Sequence, residues 1–216
     1  MTKHYAFGRV IEDLDIAVVD DSKPMQAILR STLLSFRVRR VRTFDGVEEA
    51  IEAMRIDPPN LILTDWHMKP VSGYQLLCRL RHRKMAPLCY LPILFVTAHG
   101  TRTLVDKVLR AGAQNVLVKP ISPSILFDRL QWTLRDGRDL ELGPGERFRI
   151  AGVAERLDEK ARKWKAFGEH WAKVEAERGK LAGKVAAREA KRLPKPVETQ
   201  PEPARKDQFA AVRVKQ

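Results

Sequence analysis

Five polar residues, widely separated in the chain, could act as one chemical unit: Asp20, Asp21, Asp65, Thr97 and Lys119. Asp20-Asp21 follows the apolar run Ile16-Ala17-Val18-Val19, Asp65 follows Leu61-Ile62-Leu63-Thr64, Thr97 follows Ile93-Leu94-Phe95-Val96, and Lys119-Pro120 follows Val116-Leu117-Val118. In a parallel sheet, functional groups gather at the carboxyl ends of the strands, so three acids, a hydroxyl and an amine would converge on one rim. Three carboxylates packed together repel and hold on to protons unless a hard cation separates them. An isolated Asp-Asp pair is commonly a solvated loop or a helix cap. The joint occurrence of all five positions behind successive buried strands gives the functional reading its weight.

The elements that must position these groups run from Ile16 to Leu134, where short apolar runs alternate with amphipathic segments. That alternation predicts a parallel sheet covered by helices on both faces. Strands are expected at Ile16 to Val19, Val38 to Thr43, Leu61 to Thr64, Ile93 to Val96 and Val116 to Val118. Four are almost wholly apolar and read as central. The second alternates apolar and basic residues, as an edge strand whose charges deter edge-to-edge pairing would. Helices fit at Pro24 to Ser35, Gly46 to Met54, Tyr74 to Arg83, Thr101 to Ala111 and Pro123 to Leu134, punctuated by Ser22 or Lys23 before Pro24, by Pro58-Pro59 and by Gly112. The fold class implied is α/β: a doubly wound, five-stranded parallel sheet of the flavodoxin-like type. Gly73, ending the turn Lys69-Pro70-Val71-Ser72-Gly73, is expected to take a backbone angle costly to other residues.

Beyond Leu134 the pattern changes. Residues 14–135 read as one domain, 136–152 as a linker, 153–193 as an amphipathic helical extension and 194–216 as a disordered tail rich in proline and charge. In the extension Leu157, Trp164, Trp171 and Val185 share a seven-residue register, with Phe167, Val174 and Leu181 three residues further on in theirs. Arg178 interrupts this narrow seam, and Gly168, Gly179 and Gly183 each cost about 1 kcal/mol against Ala. Such a helix needs a partner surface, either the preceding domain or another protein.

The chain has 216 residues, 44% hydrophobic and 31% charged, and no apolar run approaches the roughly 18 residues of a membrane span. Membrane insertion is not expected. The N-terminal stretch lacks the features of a secretory signal, which points to a cytoplasmic protein. Cys78 and Cys89 have no partner cluster at metal-ligand spacing and read as structural thiols. The net charge of +13 is spread, +6 over residues 1–136 and +7 over residues 137–216, so neither part is a basic arm.

Over about residues 14–135 the chain resembles the response-regulator receiver domains (CheY-like) of two-component signalling. The stretches VVDDSKPMQ, LILTDWHMKPVSGYQLL, VTAHG and AGAQNVLVKPIS match the family's acidic pair, phospho-acceptor loop, hydroxyl position and lysine-proline, in order. The resemblance implies that Asp65 is the phospho-acceptor and that magnesium is the cation. Asp21 and Asp65 would bind Mg2+ directly, Asp20 mostly through water, and the backbone carbonyl of His67 would complete the protein ligands. It implies that Lys119 and Thr97 donate to the new phosphoryl oxygens, Thr97 turning inward and moving Ala98-His99-Gly100, and that the Lys119-Pro120 bond is cis. It also implies a sensor histidine kinase or histidine phosphotransfer protein as donor and a downstream protein target as listener. A homodimer, through the fourth helix, fifth strand and fifth helix or through the C-terminal helix, is a further option.

Two departures stand out. Receivers usually carry an aromatic residue three positions before the lysine, and this chain has Val116, so output would travel by backbone shifts around Thr97 and the fourth helix. His67 and His99 stand two residues past Asp65 and Thr97, where an imidazole, with a reference pKa of about 6.5, could make loss of the phosphoryl group pH-sensitive or could simply face solvent. The alternative function is a transcription regulator with a basic C-terminal nucleic-acid-binding extension. Against it, no helix-turn-helix, zinc-ligand or RNA-binding signature is present, so nucleic acid is not an expected partner. A phosphoaspartate-forming hydrolase of the haloacid-dehalogenase kind would want a second Asp where His67 stands. With no catalytic output domain evident, the chain is not expected to be an enzyme.

Overall fold

A computed structural model describes residues 2–190, with side chains to residue 185. The strands are β1 (Asp15–Val19), β2 (Arg40–Phe44), β3 (Leu61–Asp65), β4 (Ile93–Thr97) and β5 (Asn115–Val118), all parallel, in the order β2-β1-β3-β4-β5. This is the flavodoxin-like order, with its switch point between β1 and β3. Between the strands lie α1 (Lys23–Ser35), α2 (Val47–Ile56), α3 (Gly73–Leu80), α4 (Arg102–Arg110) and, after β5, α5 (Pro123–Leu134).

The alternation of strand side chains splits the core into two layers. Ala17, Val19, Ile62, Ile93 and Phe95 pack with Met54 of α2, Leu77 of α3 and Val108 of α4. Ile16, Val18, Leu63, Leu94 and Val96 pack with Leu29 and Leu33 of α1 and Leu126 and Leu130 of α5. β1, β3 and β4 are buried at every position, which is why they read as uninterrupted apolar runs.

β2 is an edge, as its alternation implies, and Arg40 and Arg42 turn their charge to use there: both reach the buried Asp15 at 3.0 Å. β5, expected to be central, is the other edge; its outer side is unpaired and Val118 is exposed. A short run of valines and leucine does not reveal whether a neighbour lies on one side or two. α3 is shorter than expected. It ends at Leu80, and Arg83 sits in a separate 3-10 turn, because Arg81 leaves the helix to bury its guanidinium.

The stretch 136–152, expected to be loop, contains an antiparallel hairpin of β6 (Leu140–Gly143) and β7 (Arg147–Ile150). Leu140 and Ile150, with Val153, form a third apolar cluster against Tyr90, Leu109 and Phe148. The N-terminal segment joins it: Leu140 N donates to Thr2 O at 2.8 Å, and His4 Nε2 meets Asp136 O at 3.1 Å. α6 (Val153–Ala190) follows. Two compact units are distinguished, residues 1–162 and residues 163 onward. The expected end of the helix at Leu193 and the tail from 194 lie outside the described residues.

Candidate functional site

Sheet register brings the ends of four strands into one row. Val19 lies opposite Thr64, Asp65 opposite Val96, and Thr97 opposite Val118. Residues that follow these strands therefore emerge side by side on one rim.

Lys119 is the point of convergence. Its Nζ donates to Asp65 Oδ1 at 2.9 Å and to Asp20 Oδ2 at 3.2 Å. The second oxygen of each carboxylate is held by backbone: Asp65 Oδ2 accepts from His67 N at 2.7 Å and Asp20 Oδ1 from Ser22 N at 2.8 Å. Both acids are buried, Asp20 to 1% and Asp65 to 7% exposure. Burial pushes the Asp20 carboxyl above its usual range, and the Ser22 hydrogen bond and the Lys119 charge only partly oppose it. Burial alone would pull the Lys119 ammonium down. The Asp65 hydrogen bond and the charges of Asp20 and Asp65 outweigh it and hold its pKa above that of an ordinary lysine.

The other expected residues flank this trio. Thr97 is fully buried; its Oγ1 accepts from His99 N at 3.1 Å and its carbonyl accepts from Lys119 N at 2.8 Å, so the hydroxyl position and the lysine share a backbone link. Asp21 is exposed, and its Oδ2 accepts from Lys69 N at 3.4 Å. Neither Thr97 nor Asp21 hydrogen-bonds Asp65. The Lys119-Pro120 peptide is cis, as the resemblance implied. The His67 and His99 rings are exposed and meet edge to face, 5.3 Å between centroids, on the mouth of the site.

Two supports escaped the sequence reading, and a third acts otherwise than expected. Gln26 of α1 is buried, and its Nε2 donates to Asp20 O at 2.6 Å, Phe44 O at 3.2 Å and Asp45 Oδ1 at 2.7 Å, tying the acidic loop to β2. A glutamine inside a helix carries no sequence signal of this role. Trp66, Tyr74 and Phe95 form an aromatic group beside the acceptor loop, with Lys107 Nζ 4.4 Å from the Tyr74 ring centroid. Gly73 is required for a reason other than the expected one. Its φ is not positive; instead, a Cβ there would lie 2.0 Å from the Asp65 carbonyl oxygen. Only glycine lets α3 begin that close to β3.

The charge balance fits a divalent cation: the carboxylates of Asp20 and Asp65 share the single ammonium of Lys119, Asp21 adds a third acid next to Asp20 in the chain, and the burial of Asp20 and Asp65 makes the excess costly. Among the described residues no three His, Cys, Asp or Glu side chains are grouped closely enough to cage a metal by themselves. Magnesium does not require such a cage, since it commonly binds through one or two carboxylates and keeps several waters.

Comparison with known proteins agrees with this geometry. The response regulator receiver domain profile matches residues 16–131. The chain is 31% identical over 125 residues to a chemotaxis protein CheY homolog of Campylobacter jejuni, an alignment covering 57% of this chain and 95% of the relative. It is 31% identical over 110 residues to the two-component response regulator ORR11 of rice, covering 50% and 73%. Among solved structures, chemotaxis protein CheY4 of Vibrio cholerae superposes with a TM-score of 0.52 at 25% identity, covering 56% of this chain and 99% of that one. A five-stranded parallel sheet in the order β2-β1-β3-β4-β5, two buried aspartates bridged by a lysine on its rim, and a profile match over more than half its length make this chain a member of the response regulator receiver family of two-component signalling.

Proposed function

We propose that this chain is a cytoplasmic response regulator that accepts a phosphoryl group on Asp65 from a histidine kinase or histidine phosphotransfer protein and signals through protein contacts. The observation that carries the reading is Lys119 Nζ, 2.9 Å from Asp65 Oδ1 while also held by Asp20 at 3.2 Å. In the transfer, an Asp65 oxygen forms a bond to phosphorus as the N–P bond of the donor phosphohistidine breaks, the electron pair leaving with the imidazole nitrogen. Mg2+, held by Asp21, Asp65, the His67 carbonyl and, through water, Asp20, would neutralise charge on the phosphoryl group and the attacking carboxylate. Lys119, already against Asp65, can follow the new phosphoryl oxygens, and the Thr97 hydroxyl can donate to them once it gives up the His99 amide. Moving Thr97 shifts the chain that leads to α4, and Val116, only partly buried within the same core layer, has no ring to swing with it. The protein acts as a switch rather than as a turnover enzyme.

Incubation with acetyl phosphate and Mg2+ should add one hydroxylamine-sensitive phosphoryl group to the wild type and none to Asp65→Asn, read by intact-protein mass spectrometry. Equal labelling of both proteins would overturn the assignment.

The output surface is proposed to be α4, β5 and α5, where Val118 and Ile125 are about half exposed, with α6 as a self-association element. On α6, Trp164, Phe167, Trp171, Leu181 and Val185 are all more than half exposed, and Phe167 stacks on Trp171 at 6.1 Å. The partner is a second copy of this chain in a parallel coiled coil.

A further inference from the structure

We propose that the recess between α3, α4 and the β6-β7 hairpin is a binding site for a small ligand bearing a phosphate or pyrophosphate group. It is an open hollow of about 340 Å³ lined by Tyr74, Cys78, Lys107, Arg110, Arg147 and Arg149, together with Ala111 and Ala154. Four cations therefore surround one concavity. Of these only Arg110 has a carboxylate, Asp158 at 2.6 Å. Among the described residues Lys107, Arg147 and Arg149 make no ion pair. Lys107 is held over the Tyr74 ring instead, and Glu141, the cross-strand partner of Arg149, is not within ion-pair distance of it. Arg147 also lines the neighbouring hollow that contains Glu48 and Glu52, but Glu48 is taken by Arg79 at 2.6 Å.

Four like charges with a single paired acid among them repel, so the unliganded recess costs the fold stability that an anion would return. The arrangement suits phosphate in particular. Arg147 and Arg149 are two residues apart on one strand, so they extend from the same face of the hairpin about 7 Å apart. Guanidinium forks bind phosphate oxygens in pairs, and two forks at that spacing span a pyrophosphate. The Tyr74 ring and the two alanines leave room for an apolar moiety beside it. A hollow of this size favours a small molecule over an extended polyanion, which would want a basic stripe, and over a membrane, which would want a flat face. Two of its cations come from the hairpin, which lies beyond the stretch matched by the family profile. The hairpin side of the site is thus separate from the phosphoryl-acceptor rim, while Tyr74 and Lys107 on its other side belong to the aromatic group beside the acceptor loop.

The test is calorimetric titration of the full chain with pyrophosphate and with ADP, in chelator and without Mg2+, against sodium chloride of equal ionic strength. The wild type should bind both, and the Arg147→Glu/Arg149→Glu double variant should bind at least tenfold more weakly while still accepting phosphoryl from acetyl phosphate at Asp65. Pyrophosphate should also raise the melting temperature of the wild type and not that of the double variant. Heats no larger than those of sodium chloride, or undiminished binding by the double variant, would overturn the proposal. Tighter binding of duplex DNA or of anionic phospholipid vesicles than of either small ligand would also overturn it, reassigning the cations to a polyanion or a membrane. Loss of Asp65 labelling in the wild type would count against the proposed function alone.

Discussion

Burial costs at this site fall on individual side chains, and the fold meets them in different ways. Asp20 and Asp65 share one ammonium, an incomplete balance that leaves the rim receptive to a cation. His4 is a contrasting case away from the site. It is 3% exposed, its Nδ1 has no hydrogen-bond partner, and burial pulls its pKa below the usual 6.5 in spite of the nearby Asp136 charge. Between the lowered folded value and 6.5 the unfolded chain binds more protons than the folded one, so stability falls as pH drops through 6.5 and levels off below the folded value. The wild type should therefore lose more melting temperature between about pH 8 and about pH 5.5 than His4→Gln does. Parallel melting curves for the two proteins across that range would refute this role for His4. The acceptor residues were legible in the sequence because each directly follows a buried apolar run, a local relation that needs no tertiary knowledge. His4 and Gln26 were not, since nothing in their neighbours' types says that a distant segment will cover them.

Elements tell the same story one level up. β1, β3 and β4 were readable because burial on both faces writes itself as contiguous apolar residues, and β2 because an edge strand writes itself as alternation. The hairpin was missed because its strands are four residues each, mix apolar with charged positions and flank Gly143-Pro144-Gly145. A two-stranded ribbon is not stable alone, and here its stability comes from docking. Arg81 organises that docking. Fully buried and, among the described residues, without a carboxylate partner, it donates through Nε to Gly112 O at 2.9 Å, through Nη1 to Cys89 O at 2.9 Å and Leu91 O at 2.8 Å, and through Nη2 to Gln114 Oε1 at 3.1 Å. Its own carbonyl accepts from Phe148 N of β7 at 2.7 Å. Burial lowers its pKa to about 10, which still leaves it charged at neutral pH. Gly112 completes the junction: at φ +98° it takes a left-handed turn, and a Cβ there would stand 2.9 Å from Phe148 O. Arg81→Met keeps most of the volume but strands three buried carbonyls, so it should destabilise the protein by about 3 kcal/mol in urea unfolding. A loss below about 1 kcal/mol would mean that relief of the buried charge offsets the lost hydrogen bonds, and Arg81 would not be the organiser.

At the scale of the whole molecule, the chain combines a receiver with a helix whose apolar seam the sequence registers clearly but whose occupant it leaves open. Exposure is the physical problem the helix must solve. Three aromatic residues within two turns, each more than half exposed, would be unusual on a monomer surface, and the glycines at 168, 179 and 183 weaken the helix further. All three glycines lie off the positions that would form the seam, so packing between two copies can offset their cost without steric conflict. The seven-residue spacing, broken once at Arg178, matters here. A single straight helix drifts about 20° per heptad against such a repeat, and only a supercoiled partner keeps the seam covered along its length. The wild type should therefore sediment as a dimer at high micromolar concentration, and Phe167→Glu/Trp171→Glu should sediment as a monomer. Because those side chains lie in the second unit, the double variant should retain Asp65 labelling by acetyl phosphate and the urea midpoint of the first unit. If the wild type is monomeric throughout that range, the seam does not bind a second copy. If it is dimeric but the double variant remains so, self-association belongs to the α4-β5-α5 face, and charge substitution at Val118 should then separate the copies.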